Sequence, residues 1–156
     1  IVDTREQLPY SFKGYLTLRK ALKVGDYSLK GHEGRLTIER KSVADLFGTL
    51  TQQHRWTRFE QRLMAMAAAP MRAFVLVEGT PADVCEGSAW AGANGYRVLD
   101  KLSAACMRYQ VWPVFGGDRA SSEAVALSLI RAYLETLTRG TVLKSGVYRG
   151  SKLGVK

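Results

Sequence analysis

Residues 25–46, GDYSLKGHEGRLTIERKSVADL, gather Asp26, Glu39 and Asp45 around Lys41. The Gly25-Asp26 pair reads as the entry to one strand and Glu39 as near the end of the next, with Gly31, His32, Glu33 and Gly34 as the turn between them. Antiparallel pairing would bring Asp26 and Glu39 together despite their distance in sequence. Side-chain direction repeats every second residue, so Thr37, Glu39 and Lys41 share one face while Leu36 and Ile38 share the other. Arg40 points away, but its backbone carbonyl faces the Glu39 side. Asp3, at the end of an opening strand, can come alongside. Two or three carboxylates, a carbonyl oxygen and one ammonium would then converge. Hard oxygen ligands of this kind suit Mg²⁺, with Mn²⁺ as a substitute. Beside a phosphodiester such an ion activates water and stabilises developing charge, and a lysine on the same face steadies the water or the phosphate.

Spacing alone leaves ordinary alternatives open. Gly-Asp is a common turn pair, Glu-x-Lys on a strand is often a solvated face, and Asp45 fits a helix start better than a metal ligand. The overall charge supplies context: 23 Lys and Arg against 14 Asp and Glu give a formal net charge of +9. An excess of this size favours a polyanionic partner, either nucleic acid or an acidic membrane surface. The membrane reading lacks an amphipathic anchor, and no apolar run approaches the ~20 residues of a span. Cys85 and Cys106 stand far apart with no zinc-ligand pattern, as reduced thiols of an intracellular protein would. No HExxH helix, nucleophile elbow or phosphate-binding P-loop is present, which sets aside zinc-protease, serine-hydrolase and ATP-driven chemistry.

The elements that must position these residues follow from the pattern of apolar side chains. Strands are expected at the N-terminus, within 16–24 and 27–30, and over 36–41. Ser42 and Asp45 form a helix-start signal, with Val43, Leu46, Phe47 and Leu50 at helical spacing behind it. A second helix over 52–66 carries Phe59, Leu63 and Met66 on one stripe, and 73–77 reads as a buried strand. A helix over 98–109, a strand over 111–115 and a long helix over 122–138 complete an α/β domain with a mixed sheet flanked by helices.

Residues 2–6 (VDTRE), 24–27 (VGDY) and 39–45 (ERKSVAD) together resemble the nuclease module of the XPF family, whose hallmark is GD followed by ERK-x-x-x-D. A weaker likeness runs on through 58–61 and 75–78. The resemblance implies a restriction-endonuclease-like fold over residues 1–139 and metal-dependent cleavage of DNA, with branched or flapped DNA favoured by many relatives. Carried across, Asp26, Glu39 and the Arg40 carbonyl would hold Mg²⁺, Asp3 would be a third carboxylate, and Lys41 the catalytic lysine. Arg5 and Glu6 would complete the catalytic group, with Ser42 and Asp45 in support. The rival is a catalytically silent DNA-binding or scaffold module. Such modules tend to lose GD or ERK residues, and none is missing here.

XPF-type enzymes usually carry a tandem helix-hairpin-helix region after the nuclease, for which residues 140–156 leave no length; either it is cut off here or this is a minimal nuclease that finds DNA with its own surface. These residues read as a basic tail or linker, and the chain looks like a stand-alone bacterial or phage version. Arg55, Arg58 and Arg62 fall on one helical stripe and, with Gln61, are the candidates for DNA contact. Trp56 and Trp90 fit packing better than base stacking. The last helix carries Ala124, Leu127, Leu129, Ile130, Tyr133, Leu134 and Leu137, wider than a single stripe, which points to a homodimer through the C-terminal helices.

Overall fold

The computed structural model describes residues 1–68, 72–87 and 92–144, with side chains through 139. Three strands, β1 (Leu36–Ser42), β2 (Arg72–Glu78) and β3 (Trp112–Phe115), form a parallel sheet in the order β1-β2-β3. Parallel neighbours need long crossovers. Here α1 (Val43–Thr51) and α2 (Gln53–Ala67) make the first, and α3 (Pro81–Glu86) and α4 (Gly95–Tyr109) the second. α5 (Arg119–Lys144) follows β3.

Alternation along the strands sorts the core into two layers. Val75 and Val77 of β2 pack with Leu46, Phe47, Phe59, Leu63, Val84 and Leu102, so α1 to α4 cover one face. Ile38, Phe74, Leu76 and Val114 turn to the other face, against Ala126 and Ile130 of α5 and the aromatic residues Tyr10, Phe12 and Tyr27 of the N-terminal segment. Burial on both faces explains why β2 reads as an unbroken apolar run from Ala73 to Val77.

The free edge of β1 is closed by the N-terminal segment, in a form shorter than its β-compatible composition suggests. Tyr27 bridges Ile38 antiparallel and Val2 bridges both Tyr27 and Arg19, each as an isolated pair. The expected strands over 16–24 and 27–30 are therefore reduced to single bridges. One reason is that Leu16 and Leu18 find no core and stay exposed. Among the described residues, the sheet is mixed only through these bridges.

Local signals fix the helix starts. The Ser42 hydroxyl accepts a hydrogen bond from the Asp45 N–H at 3.1 Å, capping α1 as its S-x-x-D pattern implies. Gln52, in extended conformation, separates α1 from α2 by a single residue. α3 was not anticipated, although Thr80 and Asp83 make a reciprocal capping box around Pro81. Gly25 has φ +80°, and a Cβ there would meet the Thr37 Oγ1 at 2.0 Å. Only glycine combines that conformation with so close an approach to β1.

On α5, Tyr133 and Ala126 are buried, Leu127, Leu129 and Ile130 are half-buried, and Leu134 is exposed. Trp56 leans on the core with the Lys101 ammonium 4.4 Å from its ring centroid. Trp90 and residues 145–156 lie outside the described residues.

Candidate active site

Backbone hydrogen bonds tie three segments into one platform. Asp3 N–H donates to the Asp26 carbonyl at 2.8 Å, and Asp26 N–H donates to the Ile38 carbonyl at 2.8 Å. The Asp26 Oδ2 accepts the Arg40 N–H at 2.7 Å, so Arg40 meets this carboxylate through its main chain. The pleat of β1 presents Glu39 and Lys41 on the face covered by α2, where they are 2% and 5% exposed. Asp3, Asp26, Glu39, Lys41, Asp45 and Arg62 line one cavity of about 510 Å³.

Charge is divided unevenly among these groups. Burial, and then the neighbouring Glu39 charge, push Asp26 up to about 7, against which the Arg40 N–H and Lys41 act only in part. Asp3 is the opposite case. Its burial is outweighed by hydrogen bonds from the Arg5 side chain and from the Leu22 and Arg5 N–H groups, which hold it at about 2. Both Asp3 oxygens are engaged, Oδ1 by Arg5 and Oδ2 by Arg5 and the Leu22 N–H at 2.6 Å. Asp3 thus fastens the 19–24 segment as it lines the cavity.

The Lys41 Nζ lies 3.6 Å from Glu39 Oε1 and donates to Asp45 Oδ2 at 2.9 Å. Asp45 also pairs with Arg55. Burial raises Asp45, but Lys41 and Arg55 outweigh it and hold it below the ordinary carboxylate range. The arginine stripe is therefore only partly a wet face. Arg55 is committed to Asp45, and the Arg62 Nη1 donates to Glu39 Oε1 at 2.6 Å. Arg58 shares a smaller adjoining cavity of about 150 Å³ with Arg55 and Arg62, while Gln61 is exposed and lines neither cavity.

A sequence profile for the ERCC4 domain matches residues 2–118. The chain belongs to the ERCC4 domain family. Among solved structures, XPF from Aeropyrum pernix is similar with a TM-score of 0.67 and 23% identity, covering 95% of this chain and 74% of that one. XPF from Aeropyrum pernix in complex with DNA has a TM-score of 0.64 and 24% identity, covering 86% of this chain. The chain spans 64% of the length of that second structure. No curated protein matches the sequence. These likenesses place the ERCC4 domain's sheet and helices in the restriction-endonuclease-like fold.

At the edge of this cavity, which Glu6 and Arg40 also line, this ERCC4 domain carries an ion cluster that sequence reasoning saw only in part. The Arg40 guanidinium pairs with Glu78 at 2.6 Å and Glu6 at 3.2 Å. Arg119 joins through Glu78 at 3.0 Å and holds the Leu8 and Pro9 carbonyls. Glu78 and Arg119 had carried no expected role. Their only signal was a charge directly after an apolar strand and another at the start of a helix.

Among the described residues no three His, Cys, Asp or Glu side chains stand as a ready ligand group. The donor set nonetheless fits a hard divalent ion that keeps much of its water, because half-buried Asp26 and buried Glu39 repel each other as carboxylates, and Lys41 and Arg62 are placed on Glu39. The metal-free protein should show this imbalance. A carboxyl raised from 3.8 to about 7 binds a proton in the native state that the unfolded chain releases. Its contribution to stability is complete below about pH 4 and lost as pH rises through about 7. In EDTA, the Asp26 contribution should lower stability by about 2 kcal/mol between pH 5 and pH 8. Thermal melts of the wild type and Asp26→Asn should read this as a fall present in the first and flattened in the second.

Proposed function

We propose that this ERCC4 domain is a Mg²⁺-dependent endonuclease that hydrolyses phosphodiester bonds in branched, flapped or otherwise structured DNA. The observation that carries the reading is the half-buried Asp26 and buried Glu39 with Lys41 beside them, in one cavity of a chain whose GD and ERK-x-x-x-D residues are complete. Asp26 and Glu39 would hold the ion, with the Arg40 carbonyl and Asp3 beside them. A bound divalent ion would supply Lewis acidity toward the phosphate and a more acidic attacking water.

The protein's own groups do the rest. Lys41, held between Glu39 and Asp45 over the Phe59 ring at 4.7 Å, is buried and fixed in direction. In this reading it donates a hydrogen bond to the attacking water or to a phosphate oxygen as charge builds there. Arg5 and Asp3 hold the loop that forms one wall of the cavity, and Arg58 with its neighbours on α2 offers positive charge to the DNA backbone. The DNA-bound XPF structure supports the same partner for this chain. Pairing of two copies along α5, where Leu134 is exposed, belongs to the proposal.

The test incubates the protein with flap, junction, single-stranded and plain duplex DNA in Mg²⁺, Mn²⁺ or EDTA. Cleavage of structured DNA in either metal and none in EDTA is expected. Cleavage undiminished by EDTA would remove the mechanism, and tight DNA binding with no cleavage in any metal would identify a silent scaffold module instead.

A further inference from the structure

Among the cavity-lining cations, Arg62 sits differently from Lys41. Lys41 is 5% exposed, whereas the Arg62 side chain is 52% exposed and reaches in from α2 to a Glu39 that is 2% exposed. Its Nη1 lies 2.6 Å from Glu39 Oε1, the same oxygen that faces Lys41. Glu39 would therefore have to exchange this partner to serve a divalent ion fully, since a guanidinium on the oxygen both occupies it and repels a second cation. Arg62 has somewhere to go. It also lines the adjoining cavity with Arg55 and Arg58, on the side of α2 open to solvent.

We infer that Arg62 is a displaceable counter-ion: it neutralises Glu39 in the metal-free protein, and metal binding releases its guanidinium to a DNA phosphate. The inference rests on the nuclease reading and deepens it by making metal and DNA binding mutually dependent. Arg62 is then a positioning residue. It delays metal occupancy until a phosphate offers the guanidinium another partner. Because coupling between two ligands is reciprocal, DNA should tighten metal binding by the same factor by which metal tightens DNA binding. Arg55, already paired with Asp45, does not compete for Glu39 in this way.

The experiment uses non-hydrolytic readouts on the wild type, Arg62→Met and Arg62→Gln. Mn²⁺ affinity is measured by electron paramagnetic resonance of free Mn²⁺, and flap-DNA affinity by fluorescence anisotropy in EDTA and in Ca²⁺. Both variants should bind Mn²⁺ about five- to tenfold more tightly than the wild type, in the ordinary range of coupling between sites. The gain in DNA affinity on adding Ca²⁺ should shrink by a similar factor. Circular dichroism confirms that each variant is folded, and the glutamine keeps a polar group against Glu39 if the methionine does not fold. Unchanged Mn²⁺ affinity in a folded variant overturns the inference. So does tighter Mn²⁺ binding with an undiminished Ca²⁺ gain, because Arg62 would then be a fixed repulsive charge and not an exchanging one. A wild type that binds Mn²⁺ and cuts DNA while the variants match it loses the inference alone. A wild type that neither binds Mn²⁺ nor cuts DNA loses the nuclease reading too.

Discussion

Cleavage by the Asp26→Asn protein is expected to be about 10²–10³-fold slower than by the wild type at saturating Mg²⁺. The substitution keeps the shape of the side chain and an oxygen for the Arg40 N–H, which now lies 2.7 Å from Oδ2. What it removes is the charge that, with Glu39, would hold the ion. The fold should not suffer. A half-buried carboxyl pushed up to about 7 by desolvation and by Glu39 is a source of repulsion at neutral pH, so the amide should leave stability equal or higher in EDTA. Loss of activity with stability kept is the signature of a group retained for function. Single-turnover cleavage of a flap substrate, alongside thermal melts, measures both. An Asp26→Asn rate within about tenfold of the wild type would move the chemistry away from this pair.

Arg40→Ala is expected to destabilise the protein by about 3–5 kcal/mol. The guanidinium is 11% exposed and pairs with Glu6 and Glu78, themselves 9% and 12% exposed. The guanidinium lies 5.9 Å from the Tyr10 ring, and removing it leaves Glu6 without this partner and Glu78 with Arg119 in a poorly solvated site. The cost comes from the stranded partners more than from the lost attraction, so Arg40→Met combined with Glu6→Gln and Glu78→Gln should lose less than Arg40→Ala alone. Arg119→Ala, which breaks a 45% exposed contact with the same Glu78, should cost at most about 1 kcal/mol. Urea unfolding of the four proteins orders these effects. Equal losses from Arg40→Ala and Arg119→Ala would mean that the cluster is held by solvent-screened contacts only.

The ERK triplet shows why one stretch of sequence can have two jobs. Glu39 and Lys41 face the helical layer and the cavity, while Arg40 faces the opposite layer and locks β1 to the end of β2 and to Glu6. Alternation alone foretold that the three would separate in this way. It did not foretell that the arginine would be a structural clasp, because Glu6 and Glu78 reach it only through the sheet register and the path of the N-terminal segment.

Much of the frame was legible from local pattern. The Ser42 cap and the α1 and α2 stripes act over a few residues. Their signals survive in sequence because the physics behind them is short-range. The strands expected over 16–24 and 27–30 failed for the complementary reason: β-propensity describes a residue that fits a sheet, and pairing depends on what lies next to it. α3 was missed although Thr80 and Asp83 carry a cap signal, since six residues are too few for a periodic apolar stripe to show.

Strand alternation, a turn and the XPF-like motif together made convergence of Asp26, Glu39 and Lys41 the expectation, and all three line one cavity. The tertiary structure decided how the remaining charges are shared. It gave Asp3 to Arg5 and Leu22, Asp45 to Lys41 and Arg55, and Glu39 to Arg62. Long side chains on separate elements choose partners by where packing leaves them and by which carboxylates it dries, and neither quantity exists until the layers have closed.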